Sequence, residues 1–270
     1  MNEILISGPD GNRLFCHIEG DEAAPPVLFS HSLGATHAIW EEQAQRLKAS
    51  HRVIRHDSRG HGRSDTPDGD YSAEKLGRDA LAVLDGLGIA KASFVGLSMG
   101  GIAGMWLAIH APERVDRLVI ANSAAFIPVK DVWDVLAAEA RRQGLSAIGE
   151  RTILGWLSEA SRAAMPDRAR ALVATMQAMD VEGYARSLPV LRDVDLRADL
   201  ARIMAPTLVI AGGDDTPSGQ AAAAAIAEGI AGSRLESVPG AAHLSPAERP
   251  EAVGELLARH LAGGREEAGQ

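Results

Sequence analysis

Short runs of aliphatic and β-branched residues alternate with longer segments of helical periodicity along most of the chain. This alternation is typical of a mostly parallel sheet flanked by helices. The predicted strands span residues 3–7, 13–19, 27–30, 52–56, 92–95, 117–121, 207–211 and 234–238. Gly8-Pro9-Asp10-Gly11 separates the first two strands and predicts a turn, so these strands should form a hairpin. We therefore expect an α/β fold built on an eight-stranded, mostly parallel sheet.

One segment interrupts this alternation. From residue 128 to residue 195 strand signals disappear, and Ala, Arg, Leu and Met recur at helical intervals. The predicted helices of this segment span residues 130–143, 146–158, 168–178 and 181–191, and those outside it span 72–87, 99–110, 218–230 and 247–262. We expect residues 1–127 and 196–262 to form the core. Residues 128–195 should form a helical lid above the carboxyl edge of the sheet, and residues 263–270 a disordered tail.

Composition and charge exclude several classes of protein. Apolar residues make up 46% and charged residues 23% of the 270 residues, as in ordinary globular proteins. No run approaches the ~18 apolar residues of a membrane span, and residues 1–10 lack the pattern of a secretory leader. The net charge of -9 argues against nucleic acid and anionic membranes as partners. The single cysteine, Cys16, allows no internal disulfide and no cysteine zinc site, so we expect a cytoplasmic protein without metal or cofactor.

The pentapeptide Gly96-Leu97-Ser98-Met99-Gly100 matches the pattern G-x-S-x-G and lies between a predicted buried strand and a predicted helix. A nucleophile on such a tight turn adopts strained backbone angles, and small neighbours leave the room that the turn needs. The turn would expose the Ser98 hydroxyl and place the amide of Met99 at a helix N-terminus, where it can stabilise an oxyanion. An ordinary glycine-rich turn is the alternative. The strand-to-helix context favours a catalytic serine.

A catalytic serine needs a base and an acid that orients the base, and in this kind of sheet the acid comes first along the chain. Asp214 and Asp215 follow the predicted strand 207–211, and His243 follows the last predicted strand. We favour Asp215 as the orienting acid and His243 as the base, with Asp214 as an exposed turn residue that competes for the role. His260 lies inside the last predicted helix, where an exposed surface residue is expected.

Two further loops follow predicted strands. Residues 30–34, Ser-His-Ser-Leu-Gly, come after the third strand, and the backbone amide of Leu33 is the expected second donor of an oxyanion hole. A simple turn is the alternative for this loop. Residues 57–64 gather Asp, Arg, His and Ser, but these groups can satisfy one another and hold the loop at a strand end. We interpret residues 57–64 as structural.

These features resemble the α/β-hydrolase superfamily across nearly the whole chain, and within it the 3-oxoadipate enol-lactonases of aromatic-compound degradation by the β-ketoadipate route. The closer resemblance is carried by Ser32-Leu33-Gly34 ahead of Trp40, Ser98-Met99-Gly100-Gly101, and residues 182–185, 191–196, 205–212 and 241–245. The resemblance implies an α/β-hydrolase fold and a small-molecule lactone or ester as substrate.

The departures from the enol-lactonases fall in the predicted lid. In that family a tryptophan is followed three positions later by an arginine, and a later Arg-Trp-Phe recurs. Here Trp133 is followed by Leu136, and the second motif reads Gly155-Trp156-Leu157. If either family arginine neutralises a substrate carboxylate, the candidates to replace it are Arg141, Arg142, Arg151 and Arg162. The candidate pocket residues are Trp40, Trp133, Leu136 and Trp156, although the two lid tryptophans fit packing inside the lid equally well.

The predicted activity is hydrolysis of a lactone or carboxylic ester through an acyl-enzyme, with 3-oxoadipate enol-lactone as the substrate that the resemblance implies. A general carboxylesterase or a cofactor-free perhydrolase of the same fold is the alternative, which Leu136 and Gly155 favour. A ligand receptor on a hydrolase scaffold is a more distant alternative. The sequence leaves the acyl group and the oligomeric state open.

Overall fold

The computed structural model describes residues 2–263 and contains one eight-stranded sheet, which confirms the predicted fold class. The strands are β1 (Asn2–Ser7), β2 (Arg13–Glu19), β3 (Pro26–Ser30), β4 (Arg52–His56), β5 (Ala92–Leu97), β6 (Val115–Ala121), β7 (Thr207–Gly212) and β8 (Arg234–Val238). Their order across the sheet is β1-β2-β4-β3-β5-β6-β7-β8. β2 pairs antiparallel with β1, as the predicted hairpin requires, and also with β4, whereas the pairs from β4 to β8 are parallel.

The parallel strands bring their carboxyl ends to one edge of the sheet, and this edge positions the site. β5 and β7 are buried at every position, as expected for parallel strands covered on both faces. The helices are α1 (Glu41–Leu47), α2 (Ala73–Gly86), α3 (Met99–His110), α4 (Asp131–Gln143), α5 (Ser146–Trp156), α6 (Glu159–Ala164), α7 (Pro166–Gln177), α8 (Val181–Asp193), α9 (Pro217–Gly229), α10 (Ser245–Glu248) and α11 (Pro250–Leu261). Outside the segment between β6 and β7, α2 packs against α3 and α1 packs against α11.

The segment between β6 and β7 is helical, with α4 packed on α8 and α5 packed on α7. Its two ends meet: Phe126 forms an isolated antiparallel bridge with Asp195, and the amide of Leu196 donates to the carbonyl oxygen of Ala125 at 2.8 Å. The helices therefore leave and rejoin the sheet at one point. The division of the chain into a core and a lid stays a prediction.

Three helical segments differ from the prediction, and one of them, α1 (Glu41–Leu47), was not predicted at all. α6 was not predicted either, but it begins where the Ser158 hydroxyl accepts a hydrogen bond from the amide of Ser161 at 3.1 Å. The prediction of one helix over residues 247–262 is wrong at its start. There α10 ends before Arg249, which has an extended φ of -139°, and α11 begins at Pro250, which has no amide hydrogen to continue α10.

Residues 264–270, nearly all of the predicted tail, lie outside the described residues. Within residues 2–263, no helix combines the length and the apolar character that crossing a membrane requires.

Candidate active site

Ser98 lies on a strained turn between β5 and α3. Its backbone angles are φ 52° and ψ -111°, a region that residues other than glycine rarely occupy. The neighbouring glycines make the turn possible. A Cβ at Gly96 would collide with the carbonyl oxygen of Gly100, and a Cβ at Gly100 would collide with that of Ser30. The turn therefore presents the Ser98 side chain at the carboxyl edge of the sheet.

His243 and Asp215 meet Ser98 at this edge. His243 Nε2 lies 3.0 Å from Ser98 Oγ, and His243 Nδ1 lies 3.2 Å from Asp215 Oδ2. Asp215 follows β7 and is almost fully buried, whereas Asp214 is exposed. The three side chains form one hydrogen-bonded chain, and Asp215, not Asp214, completes it.

The charge of Asp215 is set by opposing effects. Burial raises the pKa of the Asp215 carboxyl, but the hydrogen bond and charge of His243 lower it. The amide group of Asn122 and the backbone amide of Thr216 lower the pKa further, so the net shift is downward. Asp215 is therefore an ionised carboxylate that can hold the imidazole of His243 in one orientation.

The backbone amides of Met99 and Leu33 are the predicted donors of the oxyanion hole. Met99 is the first residue of α3, so its amide has no acceptor within the helix. Leu33 is buried in the loop after β3, and its neighbour Gly34 donates its amide hydrogen to His61 Nε2 at 3.2 Å. The loop of residues 57–64 thus holds the loop that contains Leu33, in agreement with a structural role for residues 57–64.

Asn122 is a site residue that the sequence analysis did not identify. It follows β6 with a positive φ of 45°, and it is almost fully buried. Its Nδ2 donates to Asp215 Oδ2 at 3.2 Å and to the carbonyl oxygen of Ala242 at 3.1 Å. Its Oδ1 accepts a hydrogen bond from Ser245 Oγ at 2.6 Å. The one sequence signal for it was an asparagine at the carboxyl end of a predicted central strand.

The buried residue Glu248, also not identified from the sequence, joins the His243 loop to the helical segment. Its carboxylate accepts hydrogen bonds from the amides of Ala242 and Ser158, each at 2.8 Å. The amide of His243 itself donates to the carbonyl oxygen of Trp156 at 3.0 Å. The position of the histidine is therefore fixed partly by α5 and the turn that follows it.

A cavity of about 380 Å³ lies beside the Ser98 hydroxyl. Apolar side chains dominate its lining, which includes Ile102, Phe126, Ile127, Val129, Trp133, Trp156, Leu191 and Ala222. The wall also contains Gly155 and four residues of the site: Ser98, Asn122, Asp215 and His243. Trp133 and Trp156, two of the predicted pocket residues, both lie in this wall.

Other sequence expectations are not met. Trp40 does not line this cavity: its ring is buried against Phe29, and its indole N–H donates to the carbonyl oxygen of Ser30 at 3.1 Å. Leu136 is also absent from the cavity wall and packs against the core. His260 is half-buried instead of exposed, because α11 packs against α1 and β6, and burial lowers its pKa to about 4.

The fold and the site agree with one family of enzymes. The family model for the alpha/beta hydrolase fold matches residues 25–250. Since the match covers most of the chain, the chain belongs to the α/β-hydrolase family.

Within this family, three similar proteins are named as enol-lactonases. 3-Oxoadipate enol-lactonase 2 of Acinetobacter baylyi is 39% identical over 233 residues, which are 86% of this chain and 87% of that protein. 3-Oxoadipate enol-lactonase 1 of the same organism is 35% identical over 251 residues, 93% of this chain and 94% of that protein. The crystal structure of the enol-lactonase from Burkholderia xenovorans superposes with a TM-score of 0.92 at 33% identity, covering 96% of this chain and 100% of that one.

Proposed function

We propose that this chain is a serine hydrolase that opens an enol-lactone, or cleaves a related carboxylic ester, through an acyl-enzyme on Ser98. The observation that carries the proposal is the hydrogen-bonded chain from Ser98 through His243 to Asp215, at the wall of an apolar cavity. The names of the relatives support 3-oxoadipate enol-lactone as the reference substrate. The cytoplasmic setting predicted from the lone cysteine is part of this proposal.

In the first half of the reaction, His243 Nε2 accepts the proton of the Ser98 hydroxyl while Oγ attacks the substrate carbonyl carbon. Asp215 accepts the hydrogen bond from Nδ1–H and stabilises the imidazolium without taking the proton. The ring C–O bond then breaks, and the imidazolium returns the proton to the departing enol oxygen. An enol is an easier leaving group than an alkoxide, so ring opening is the less demanding step.

The amides of Leu33 and Met99 are proposed to hold the negative oxygen of the tetrahedral intermediate. Losing one donor of such an oxyanion hole costs ~2.7–4 kcal/mol of transition-state stabilisation. In the second half of the reaction, His243 takes a proton from water, and the resulting hydroxide equivalent attacks the acyl carbon. Ser98 leaves with the proton from His243, and the carboxylic acid product is released.

The test compares variants at three positions with wild type in the hydrolysis of 3-oxoadipate enol-lactone and of p-nitrophenyl acetate. Ser98→Ala should abolish turnover of both while the unfolding curve stays close to that of wild type. Asp215→Asn should lower kcat by ~10⁴-fold, because the wrong imidazole tautomer is then favoured. Asp214→Asn is the matched control and should leave kcat unchanged. Near-normal turnover by Ser98→Ala would overturn the proposal.

A general carboxylesterase is the second candidate, and the mainly apolar lining of the cavity favours it. This candidate uses the same residues and the same steps. The ratio of kcat/KM for the enol-lactone and for simple aryl esters separates the two.

A further inference from the structure

We propose that the cavity selects substrates whose non-reacting part is uncharged and apolar, so that a neutral lactone or ester is preferred over its carboxylated counterpart. This inference rests on the proposed function, because it concerns the specificity of the same site. It is carried by the side chains that line the cavity and by the positions of the basic side chains around it.

The cavity wall offers an anionic substrate no permanently charged cationic partner. Among the described residues that line it, none is a lysine or an arginine. Asp215 is ionised and lies in the wall, so the fixed charge at the site is negative. Trp133 and Trp156 present aromatic surface on the lid side. This lining stabilises alkyl or aryl groups and repels a carboxylate.

Four lid arginines were candidates for a carboxylate partner: Arg141, Arg142, Arg151 and Arg162. Arg141 pairs with Glu182 at 2.9 Å, and about half of its side chain is exposed. Arg151 pairs with Glu139 at 3.1 Å and is more exposed still. Arg142 is exposed, and Arg162 donates to a backbone carbonyl oxygen of its own segment at 3.1 Å. None of the four lines the described cavity wall, so they do not supply the missing cation.

A cation behind the wall, Arg197, is also paired. The guanidinium of Arg197 stacks 3.7 Å from the centre of the Phe126 ring, whose residue lines the cavity. That guanidinium makes two hydrogen bonds to Asp195, at 2.8 Å and 2.7 Å. Its charge is therefore compensated by Asp195. A substrate carboxylate would lose its water inside the cavity without gaining a counter-charge, which is costly.

The closing experiment uses two enol-lactones with the same reacting ring. α-Angelica lactone carries a methyl group where 3-oxoadipate enol-lactone carries a carboxymethyl group. We expect kcat/KM of wild type to favour the methyl compound by ~100-fold, the size of an uncompensated buried charge. Equal or greater kcat/KM for the carboxymethyl compound would overturn the inference. If Ser98→Ala hydrolyses both lactones as wild type does, the proposed function fails instead.

Gly155 offers a complementary variant, because it lines the cavity and a Cβ there meets no atom within 4 Å. Gly155→Arg adds a cation at the wall, and Gly155→Gln is the control that adds a polar side chain without charge. The arginine variant should raise kcat/KM for the carboxymethyl lactone by about tenfold relative to the glutamine variant. An equal response of the two variants would show that charge does not set the preference, and would overturn the inference.

Discussion

Asn122 allows the sharpest quantitative prediction, because its side chain joins the loop of Asp215 to the loop of His243. Asn122→Ala removes two hydrogen bonds to neutral partners, worth ~1 kcal/mol each, and one to the Asp215 carboxylate, worth ~1.5–3 kcal/mol. Alanine at a positive φ adds about 1 kcal/mol of strain. The free energy of unfolding should therefore fall by about 5 kcal/mol.

Activity should fall as well, through the orientation of Asp215. Without the hydrogen bond from Asn122, Asp215 no longer fixes the imidazole of His243 at hydrogen-bond distance from Ser98. We expect kcat to drop by ~10–100-fold with KM within about twofold of wild type, because a displaced catalytic group slows the chemical step. The assays are urea unfolding followed by fluorescence and steady-state hydrolysis of p-nitrophenyl acetate.

Two further variants separate the contributions at this position. Asn122→Gly removes the same hydrogen bonds without the strain, so it should be about 1 kcal/mol more stable than Asn122→Ala. Asn122→Asp keeps the volume but places a second carboxylate against Asp215, so its instability should grow as pH rises and both groups ionise. If Asn122→Asp equals wild type in kcat and in unfolding free energy at about pH 8, the positioning role is refuted.

Two other predictions concern buried ionisable groups. Burial lowers the pKa of His56 to about 4 and of His61 to about 3, so below about pH 6.5 the unfolded chain binds more protons than the folded one. The free energy of unfolding is unaffected by these groups above that pH. It should fall by ~1.4 kcal/mol per pH unit for each histidine from about pH 6.5 down to the lowered pKa, which is about 4 for His56 and about 3 for His61. A flat urea-unfolding profile over this range would contradict the prediction. Glu248→Gln should lower the free energy of unfolding by ~2 kcal/mol. The reason is that an amide nitrogen replaces one of the two oxygens that accept hydrogen bonds from the backbone amides of Ala242 and Ser158. An unchanged unfolding curve would contradict the bridging role of Glu248.

The strands and the turn at Ser98 were predictable because short-range rules fix them. Residues 27–30 form a short, mainly apolar run, and they are buried in the structure. The glycines beside Ser98 are needed because a Cβ there would collide with nearby backbone atoms. The break at Pro250 was missed because the apolar period continues across it. Hydrophobic periodicity indicates that a helix is present more clearly than it indicates where the helix begins or ends.

The rest of the site depends on contacts between distant parts of the chain. Asn122 has no motif: its importance comes from Asp215 and Ser245, which lie far away in the sequence. Trp40, which carries part of the resemblance to the enol-lactonases, was predicted to line the pocket. Its indole N–H instead finds the carbonyl oxygen of Ser30, a partner that periodicity cannot reveal.

The most direct test of the proposed mechanism is to identify the residue that becomes acylated. Wild-type protein is mixed with p-nitrophenyl butyrate, quenched in acid within one turnover, and digested for peptide mass spectrometry. We expect a butyryl group on the peptide that contains Ser98, formed together with a burst of p-nitrophenol and missing in Ser98→Ala. Multiple turnover with an acyl group on another residue, or with no acylated peptide despite a burst, would contradict an acyl-enzyme on Ser98.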